Sequence, residues 1–269
     1  MLDVKDLNLE FHDHANPETV VFDFDLHMDE GEIVGLVGES GSGKSMSAMA
    51  IAGLLQRKDL IVKGNIVFDG VDISHCERKT LRHIQGNDIA MIFQEPMTAL
   101  NPVKKVGWLV EESLHIHTNL TDAECKERAI NMLKAADLPN PELTYEKYPH
   151  ELSGGQRQRV MIAAALICNP KLLIADEPTT ALDVTVQAQI IDLLARVNKE
   201  MGTSILFISH DLSLVKKLCS RVLVMYKGRV VEAGLTEDVF NNPVEEYTKM
   251  LIEAIPKMEK IDVSKRRFE

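Results

Sequence analysis

The chain has 269 residues, of which 45% are hydrophobic and 26% are charged, a composition typical of a globular protein. This length suits one large domain or two small ones. The formal net charge of −11 weighs against nucleic acid as the main partner, because phosphate binding needs a basic surface. No apolar run approaches the roughly 20 residues of a membrane-spanning helix, and no signal-peptide pattern starts the chain. Any membrane association is therefore expected to come through a partner.

Short apolar runs alternate with amphipathic helical stretches along the chain, a pattern that favours an α/β fold. Residues 2–9 predict a strand system that is more exposed than the rest. Residues 66–68, followed by Asp69 and Gly70, predict a strand that ends in a turn. A late hairpin is predicted over residues 221–232. Four nearly continuous apolar runs predict parallel strands buried on both faces: residues 32–37, 89–93, 172–175 and 204–208.

A mainly helical block interrupts this alternation at about residues 96–158. Thr121 and Glu124 match the capping box at the start of a helix that is expected to run to about Asp137. We interpret the block as a helical subdomain inserted in the α/β core. Residues 1–256 are then a single domain, and residues 257–269 form a charged C-terminal tail.

The segment between residues 38 and 45, GESGSGKS, matches the phosphate-binding P-loop and lies between a predicted buried strand and a predicted helix. Its glycines let several backbone N–H groups point at one anion, and the following helix adds a partial positive charge. Lys44 is expected to contact the β- and γ-phosphates, and the Ser45 hydroxyl to bind Mg²⁺. A glycine-rich turn that binds nothing is the alternative, and a complete match in this context weighs against it. The predicted nucleotide-binding residues are Gly38, Ser40, Gly41, Ser42, Gly43, Lys44, Ser45 and Met46.

Two acids follow the predicted strand at residues 172–175. Asp176 is expected to hold Mg²⁺ directly or through water, and Glu177 to act as a general base on the attacking water. Acids at strand ends are common in loops without any catalytic role. The functional interpretation therefore depends on the P-loop that precedes them in the chain.

Residues 152–156 have the sequence LSGGQ and precede the predicted strand that ends at Asp176. Because of this motif, the chain resembles the ATP-binding-cassette (ABC) ATPase family. Further motifs of that family occur in the expected order along nearly the whole chain. The resemblance identifies Gln94 with the Q-loop, Asp183 with the D-loop and His210 with the switch histidine. It also makes Phe11 the aromatic residue that stacks on adenine, although a lone aromatic side chain near a strand end more often simply packs.

The resemblance implies an α/β P-loop NTPase core with an N-terminal antiparallel β subdomain and an inserted helical subdomain. ATP and Mg²⁺ are the implied cofactors, with Ser45, Gln94 and Asp176 at the metal. The implied catalytic residues are Glu177, His210 and Gln94, which would position water against the γ-phosphate and sense the nucleotide state.

The LSGGQ segment begins another helix and therefore provides a second anion-binding helix N-terminus. One chain needs a single such site for its own phosphates. In the family, the second site contacts the nucleotide held by the opposite cassette, so the resemblance implies a pair of cassettes with two ATP molecules between them. The residues implied at this shared interface are Ser153, Gly154, Gly155, Gln156 and Asp183.

Residues 93–102 resemble the subfamily that imports peptides and nickel, and residues 242–248 resemble its tail in part. Where that tail more often carries His-Pro-Tyr, this chain has Glu245, Glu246 and Tyr247. Peptide-transporting members often continue into a cysteine cluster that resembles an iron–sulfur site. This chain has only scattered cysteines, so no iron–sulfur cluster is expected. Its short length slightly favours the nickel or metal-chelate members.

The implied partners are a second, different cassette, two transmembrane permeases and an extracytoplasmic substrate-binding protein, with no nucleic acid. The chain would then lie at the cytoplasmic face of the cell membrane. One alternative is a soluble ABC protein that acts on nucleic acid or ribosomes, and the acidic charge weighs against it. Another is a regulatory cassette that binds ATP without hydrolysing it, and the presence of both Glu177 and LSGGQ weighs against that.

Overall fold

The computed structural model describes residues 1–13, 16–55 and 59–255, so the predicted tail at 257–269 lies outside the described residues. The described strands form one sheet of four strands and one of six. The strands are β1 (Leu2–Asp13), β2 (Asn16–Met28), β3 (Ile33–Val37), β4 (Leu60–Phe68), β5 (Val71–Asp72), β6 (Ile89–Ile92), β7 (Leu172–Asp176), β8 (Ser204–Ser209), β9 (Arg221–Tyr226) and β10 (Arg229–Leu235). The helices are α1 (Lys44–Ile51), α2 (Arg78–Ile84), α3 (Pro96–Ala99), α4 (Val106–His117), α5 (Asp122–Ala135), α6 (Pro141–Glu146), α7 (Gly154–Leu166), α8 (Val184–Met201), α9 (Leu212–Leu218), α10 (Thr236–Asn241) and α11 (Glu246–Glu253).

The six-stranded sheet has the order β10-β9-β3-β8-β7-β6. Strands β9, β3, β8, β7 and β6 run parallel, and β10 pairs antiparallel with β9 at one edge. Every residue of β3, β7 and β8 is buried, which confirms the prediction made from their continuous apolar runs. The predicted late hairpin is confirmed as β9 and β10.

Alternate side chains of this sheet enter two hydrophobic cores. In β3, Ile33 and Val37 face the core that contains most of the helices, whereas Val34 and Leu36 face the core shared with the four-stranded sheet. Because β3, β7 and β8 are parallel neighbours, their C-terminal ends lie at one edge of the sheet. The segments that carry the P-loop, the two acids and the switch histidine all begin at this edge.

The four-stranded sheet is antiparallel, with the order β2-β1-β4-β5. The first strand is more exposed than β3, β7 and β8, as predicted: its apolar residues Leu2, Val4, Leu7 and Leu9 are buried, and the polar residues between them are half-buried or exposed. The alternation of buried side chains along β1 changes phase after Val4. The β1–β2 register shifts between Val4 and Leu7, where Asp6 has a φ of 50°. A β-bulge inserts an extra residue, so the apolar side chains on both sides of it enter the same core.

Helices α3–α7 lie between β6 and β7 in the chain, where the helical block was predicted. The capping box is confirmed: the Thr121 hydroxyl accepts from the Glu124 N–H at 3.4 Å, and the Glu124 carboxylate accepts from the Thr121 N–H at 2.8 Å. Helix α7 continues to Leu166, so the proposed boundary near residue 158 falls inside a helix, and the division into subdomains stays a prediction. Within the described residues, no helix combines the length and apolar character needed to cross a membrane.

A buried carboxylate joins two helices of this block. The Tyr145 hydroxyl of α6 donates to Glu111 Oε1 of α4 at 2.7 Å, and Glu111 is 6% exposed. Gly107 lets the ring approach, because a Cβ atom there would lie 2.3 Å from the Tyr145 ring. Burial raises the pKa of Tyr145, and the hydrogen bond to Glu111 raises it further.

Candidate nucleotide site

The P-loop leads from the C-terminal end of β3 to the first residue of α1. Gly38 has a φ of 150°, and a Cβ atom there would lie 2.1 Å from the backbone oxygen of Met225 in β9. Gly43 caps α1 in the left-handed region, with a φ of 103°. The path of the loop therefore depends on glycine at both positions. It places the first amide groups of α1, which have no acceptor within the helix, at the loop.

Lys44 is a buried lysine, 5% exposed, whose amino group lies inside the P-loop. Its Nζ donates to the backbone oxygens of Gly38 and Glu39, both at 2.8 Å. Burial lowers the pKa of Lys44, and the carboxylates of Glu177, Asp176 and Glu39 act in the opposite direction. A buried cation at a glycine-rich loop is suited to a ligand with several negative charges, such as a nucleotide phosphate.

Asp176 is the last residue of β7 and is 5% exposed. Its Oδ1 accepts a hydrogen bond from the Ser45 hydroxyl at 3.0 Å, so two of the three predicted metal ligands are in contact. Burial raises the pKa of Asp176, and the Ser45 hydrogen bond opposes this shift. In the described part of the chain, no cluster of three or more His, Cys, Asp or Glu side chains could hold a metal. Mg²⁺ does not need such a cluster, because it often binds through one or two carboxylates together with substrate phosphates.

The other predicted catalytic side chains, those of Gln94 and His210, lie next to the Glu177 carboxylate. Its Oε2 accepts from Gln94 Nε2 at 2.9 Å and from the Thr180 hydroxyl at 2.8 Å, and it lies 3.2 Å from His210 Nδ1. The Glu177 backbone has a φ of 46°, and its N–H donates to Ile208 O of β8 at 2.9 Å. Such left-handed residues cost of order 1–3 kcal/mol and occur mainly where the surrounding structure requires them.

A cavity of about 220 Å³ lies between the P-loop and Glu177, so both border the same space. It is lined by Val20, Ser40, Gly41, Gly43, Lys44, Ser45, Met46, Gln94 and Glu177. Ser42 of the loop is buried and does not line the cavity, and its backbone oxygen accepts from the Gly228 N–H at 3.0 Å. Phe11 pairs with Leu60 in the four-stranded sheet and is not among the lining residues, so its contact with adenine stays a prediction.

The LSGGQ segment begins α7 with a capping box. The Ser153 hydroxyl accepts from the Gln156 N–H at 3.3 Å, and Gln156 Oε1 accepts from the Ser153 N–H at 3.1 Å. These two side chains therefore hold the helix start, while Gly154 and Gly155 supply the first amide groups of the helix.

The signature does not line the P-loop cavity of its own chain. It borders a separate cavity of about 320 Å³, and Gln94 is the residue common to the linings of both. Asp183, predicted at the D-loop, is the N-cap of α8, where its carboxylate accepts from the Val186 N–H at 3.0 Å. One chain thus brings Gln94, Asp176, Glu177 and His210 to its P-loop, but it does not bring the signature there.

The matched family model defines the class of this protein. The model described as "ABC transporter" matches residues 21–180, and the chain belongs to this family. The chain is therefore an ABC ATPase that binds and hydrolyses ATP as part of a membrane transporter. The fold class and the resemblance drawn from the sequence are both confirmed.

Curated relatives and a solved structure are similar over nearly the whole chain. The dipeptide transport ATP-binding protein DppD of Haemophilus influenzae is 46% identical over 256 residues, which covers 95% of this chain and 78% of that protein. The oligopeptide transport ATP-binding protein OppD of Escherichia coli is 48% identical over 259 residues, covering 96% and 77%. The post-hydrolysis dimer of the ATP-binding cassette MJ0796 bound to ADP and phosphate is 28% identical with a TM-score of 0.79, covering 88% and 99%. Neither named relative is a nickel transporter, and the nucleic-acid alternative gains no support.

Two residues of the site were not predicted from the sequence. Thr180 donates to the same Glu177 oxygen as Gln94, and Val20 of β2 lines the nucleotide cavity. Thr180 lies three residues after Glu177, a spacing that suits a turn but carries no chemical signature of its own. Val20 looks like any apolar strand residue, so only the tertiary structure reveals its place.

Proposed function

We propose that the chain is the ATPase subunit of a peptide importer, with a hydrolytic site formed by residues 38–45, Asp176, Glu177, Gln94 and His210. The observation that carries the proposal is the meeting of Gln94 and His210 on one oxygen of Glu177, beside the P-loop cavity. The names of DppD and OppD, together with their similarity over nearly the whole chain, favour peptides as the cargo.

Hydrolysis at this site depends on charge neutralisation and on the positioning of one water molecule. The P-loop amides and Lys44 bind the phosphates and neutralise part of their charge. Glu177 orients the attacking water and accepts its proton, while Gln94 and His210 hold the Glu177 carboxylate in place. The water oxygen bonds to the γ-phosphorus as the bond to the ADP oxygen breaks, which gives ADP and phosphate.

The donor set at the end of β7 suits Mg²⁺. The Ser45 hydroxyl and the Asp176 carboxylate are in direct contact, and the side-chain oxygen of Gln94 is a third oxygen donor of the kind that Mg²⁺ prefers. When bound, the ion supplies charge neutralisation at the β- and γ-phosphates.

The separation of the signature from its own P-loop supports a shared site between two cassettes. The Gly154 and Gly155 amides at the start of α7 have the polarity to bind a γ-phosphate of the partner cassette. Asp183 at the start of α8 would lie at the same interface. The structural relative MJ0796 is a dimer bound to ADP and phosphate, which favours this arrangement. The proposed partner here is a second, different cassette.

A groove beside Gln94 is a candidate binding site for a segment of the permeases. It has a volume of about 280 Å³ and lies between β6 and helices α4 and α7, with Phe93 and Leu109 among its lining residues. Phe93 is 40% exposed and directly precedes Gln94, so a permease segment in the groove would contact the chain one residue from the hydrolytic site. Two permeases and an external substrate-binding protein complete the proposed assembly, with this chain at the cytoplasmic face of the membrane.

The assembly can be tested by recovering the tagged chain from gently solubilised membranes and identifying the retained proteins by mass spectrometry, with metal analysis of the same sample. The expected result is a second cassette, two permeases and a binding protein that carries a peptide. Nickel or a chelated metal on that binding protein would contradict the peptide cargo. Recovery without any permease would contradict the transport assignment.

Replacement of Lys44 by alanine should abolish most ATP binding, because it removes the buried cation that lies inside the P-loop. Hydrogen bonds to charged groups contribute about 1.5–3 kcal/mol each, so the dissociation constant for ATP should rise at least tenfold. Titration with a fluorescent ATP analogue measures this change. Lys199→Ala, which removes an exposed lysine of α8, is the matched control and should bind as the wild type does. Equal affinity in the two variants would contradict the assigned site.

A further inference from the structure

The first residues of the P-loop are also held by the C-terminal part of the chain, a contact that the proposed hydrolysis does not use. The Glu39 N–H donates to the hydroxyl oxygen of Tyr247 at 3.0 Å. Tyr247 lies in the first turn of α11 and is 8% exposed. Its ring packs against that of Tyr226, with 4.1 Å between the ring centroids and 31° between the ring planes. Tyr226 directly follows Met225, against which Gly38 packs. The start of the P-loop is therefore held between β9 and α11.

The start of α11 is itself anchored to the six-stranded sheet. Glu232 of β10 accepts from the Val244 N–H through Oε1 at 2.8 Å and from the Glu245 N–H through Oε2 at 3.1 Å. Amide groups at a helix start favour a negatively charged partner, so this carboxylate fixes the entry into α11. Tyr247 follows Glu245 by two residues, and the position of its hydroxyl is thereby tied to β10.

Both the N–H group and the carbonyl oxygen of Glu39 form hydrogen bonds with side chains. Its N–H donates to Tyr247, and its carbonyl oxygen accepts from Lys44 Nζ at 2.8 Å. Tyr247 and the lysine proposed to bind phosphate therefore act on the same residue of the loop. A displaced Glu39 would change the position of the Lys44 amino group.

We infer that Tyr247 is a positioning residue for nucleotide binding, which acts through Glu39 by holding the start of the P-loop in its phosphate-binding conformation. The inference rests on the proposed function of the P-loop. A hydrogen bond of this kind makes a modest net contribution, so its loss should weaken nucleotide binding about two- to tenfold. The rate of hydrolysis in the bound state should change little, because Glu177 and its partners stay in place.

Tyr247→Phe tests the inference, because it keeps the ring and its contact with Tyr226 but removes the hydroxyl acceptor. The dissociation constants of the full-length chain for ATP and for ADP should both rise about two- to tenfold. Amide hydrogen exchange at Glu39 should become faster. In the assembly recovered from membranes, KM for ATP should rise by the same factor with kcat retained. Glu232→Ala, which releases the start of α11, should raise the two dissociation constants in the same direction.

Tyr145→Phe is the matched control, since it removes a tyrosine hydroxyl that is bonded to Glu111 in the helical block. It should lower Tm and leave both dissociation constants at the wild-type value. Equal increases in the Tyr145→Phe and Tyr247→Phe variants would overturn the positioning role, and so would wild-type affinity in Tyr247→Phe. The Lys44→Ala variant separates the two proposals. Wild-type binding in that variant overturns the nucleotide site itself, whereas lost binding there with unchanged Tyr247→Phe overturns only the role of Tyr247.

Discussion

A Glu177→Gln variant is expected to bind ATP with wild-type affinity and to hydrolyse it about 10²- to 10⁴-fold more slowly, the usual contribution of a positioned general base. Glutamine has nearly the same shape, and its side-chain oxygen can still accept from Gln94 and Thr180. It cannot take a proton from the attacking water. The variant should therefore hold intact ATP and accumulate as a closed pair of cassettes. Phosphate release by the recovered assembly, together with its bound nucleotide, measures both effects.

The matched control for this change is Glu200→Gln, which makes the same chemical substitution at an exposed residue of α8. It should hydrolyse ATP at the wild-type rate. Normal turnover in Glu177→Gln would show that another group accepts the proton, and the role assigned to Glu177 would be wrong.

Replacement of Gly154 by aspartate is expected to leave ATP binding by the single chain unchanged and to block hydrolysis by the assembly. The helix start at Gly154 is proposed to face the γ-phosphate of the partner cassette. Two like charges about 4 Å apart near a protein surface repel by about 4 kcal/mol, so turnover should fall at least a hundredfold. The chain should still fold, because a Cβ atom at Gly154 meets only Leu182, at 3.9 Å.

The control for this variant is Gly154→Ala, which adds a side chain without a charge and should keep much more of the activity. The neighbouring glycine is less suitable for the test, since a Cβ atom at Gly155 would lie 2.8 Å from Val186 Cγ1 and disturb the packing of α8. ATP titration of the isolated chain and phosphate release by the assembly are the two measurements. Unchanged turnover in Gly154→Asp would contradict the shared site.

The sequence predicts the α/β core and most of the site because these depend on local patterns. Strands such as β3, β7 and β8 are buried on both faces, so each contains a nearly continuous apolar run that is visible in the sequence alone. The P-loop needs glycine and lysine at fixed spacing, so its chemistry can also be read locally. Parallel pairing then brings Asp176 and Glu177 to the edge of the sheet where the P-loop begins.

Contacts between distant segments could not be predicted in this way. The bond from Glu39 to Tyr247 joins residues 208 positions apart, and the tyrosine stands in a tail segment with no pattern that indicates a role at the P-loop. The burial of Leu7 depends on a bulge at Asp6, which shifts the alternation that would otherwise place the residue on the opposite face. Chain length and the named relatives point to different cargoes, because length slightly favours nickel or metal chelates whereas DppD and OppD are named for peptides.

Uptake of labelled peptides should be compared in cells that carry either the wild-type chain or the Glu177→Gln variant in place of their own copy. Rapid, ATP-dependent accumulation of peptide is expected with the wild-type chain, and its loss is expected with the variant, while both chains are recovered with the same permeases. Equal peptide uptake with the two chains would contradict the claim that ATP hydrolysis by this subunit powers peptide import.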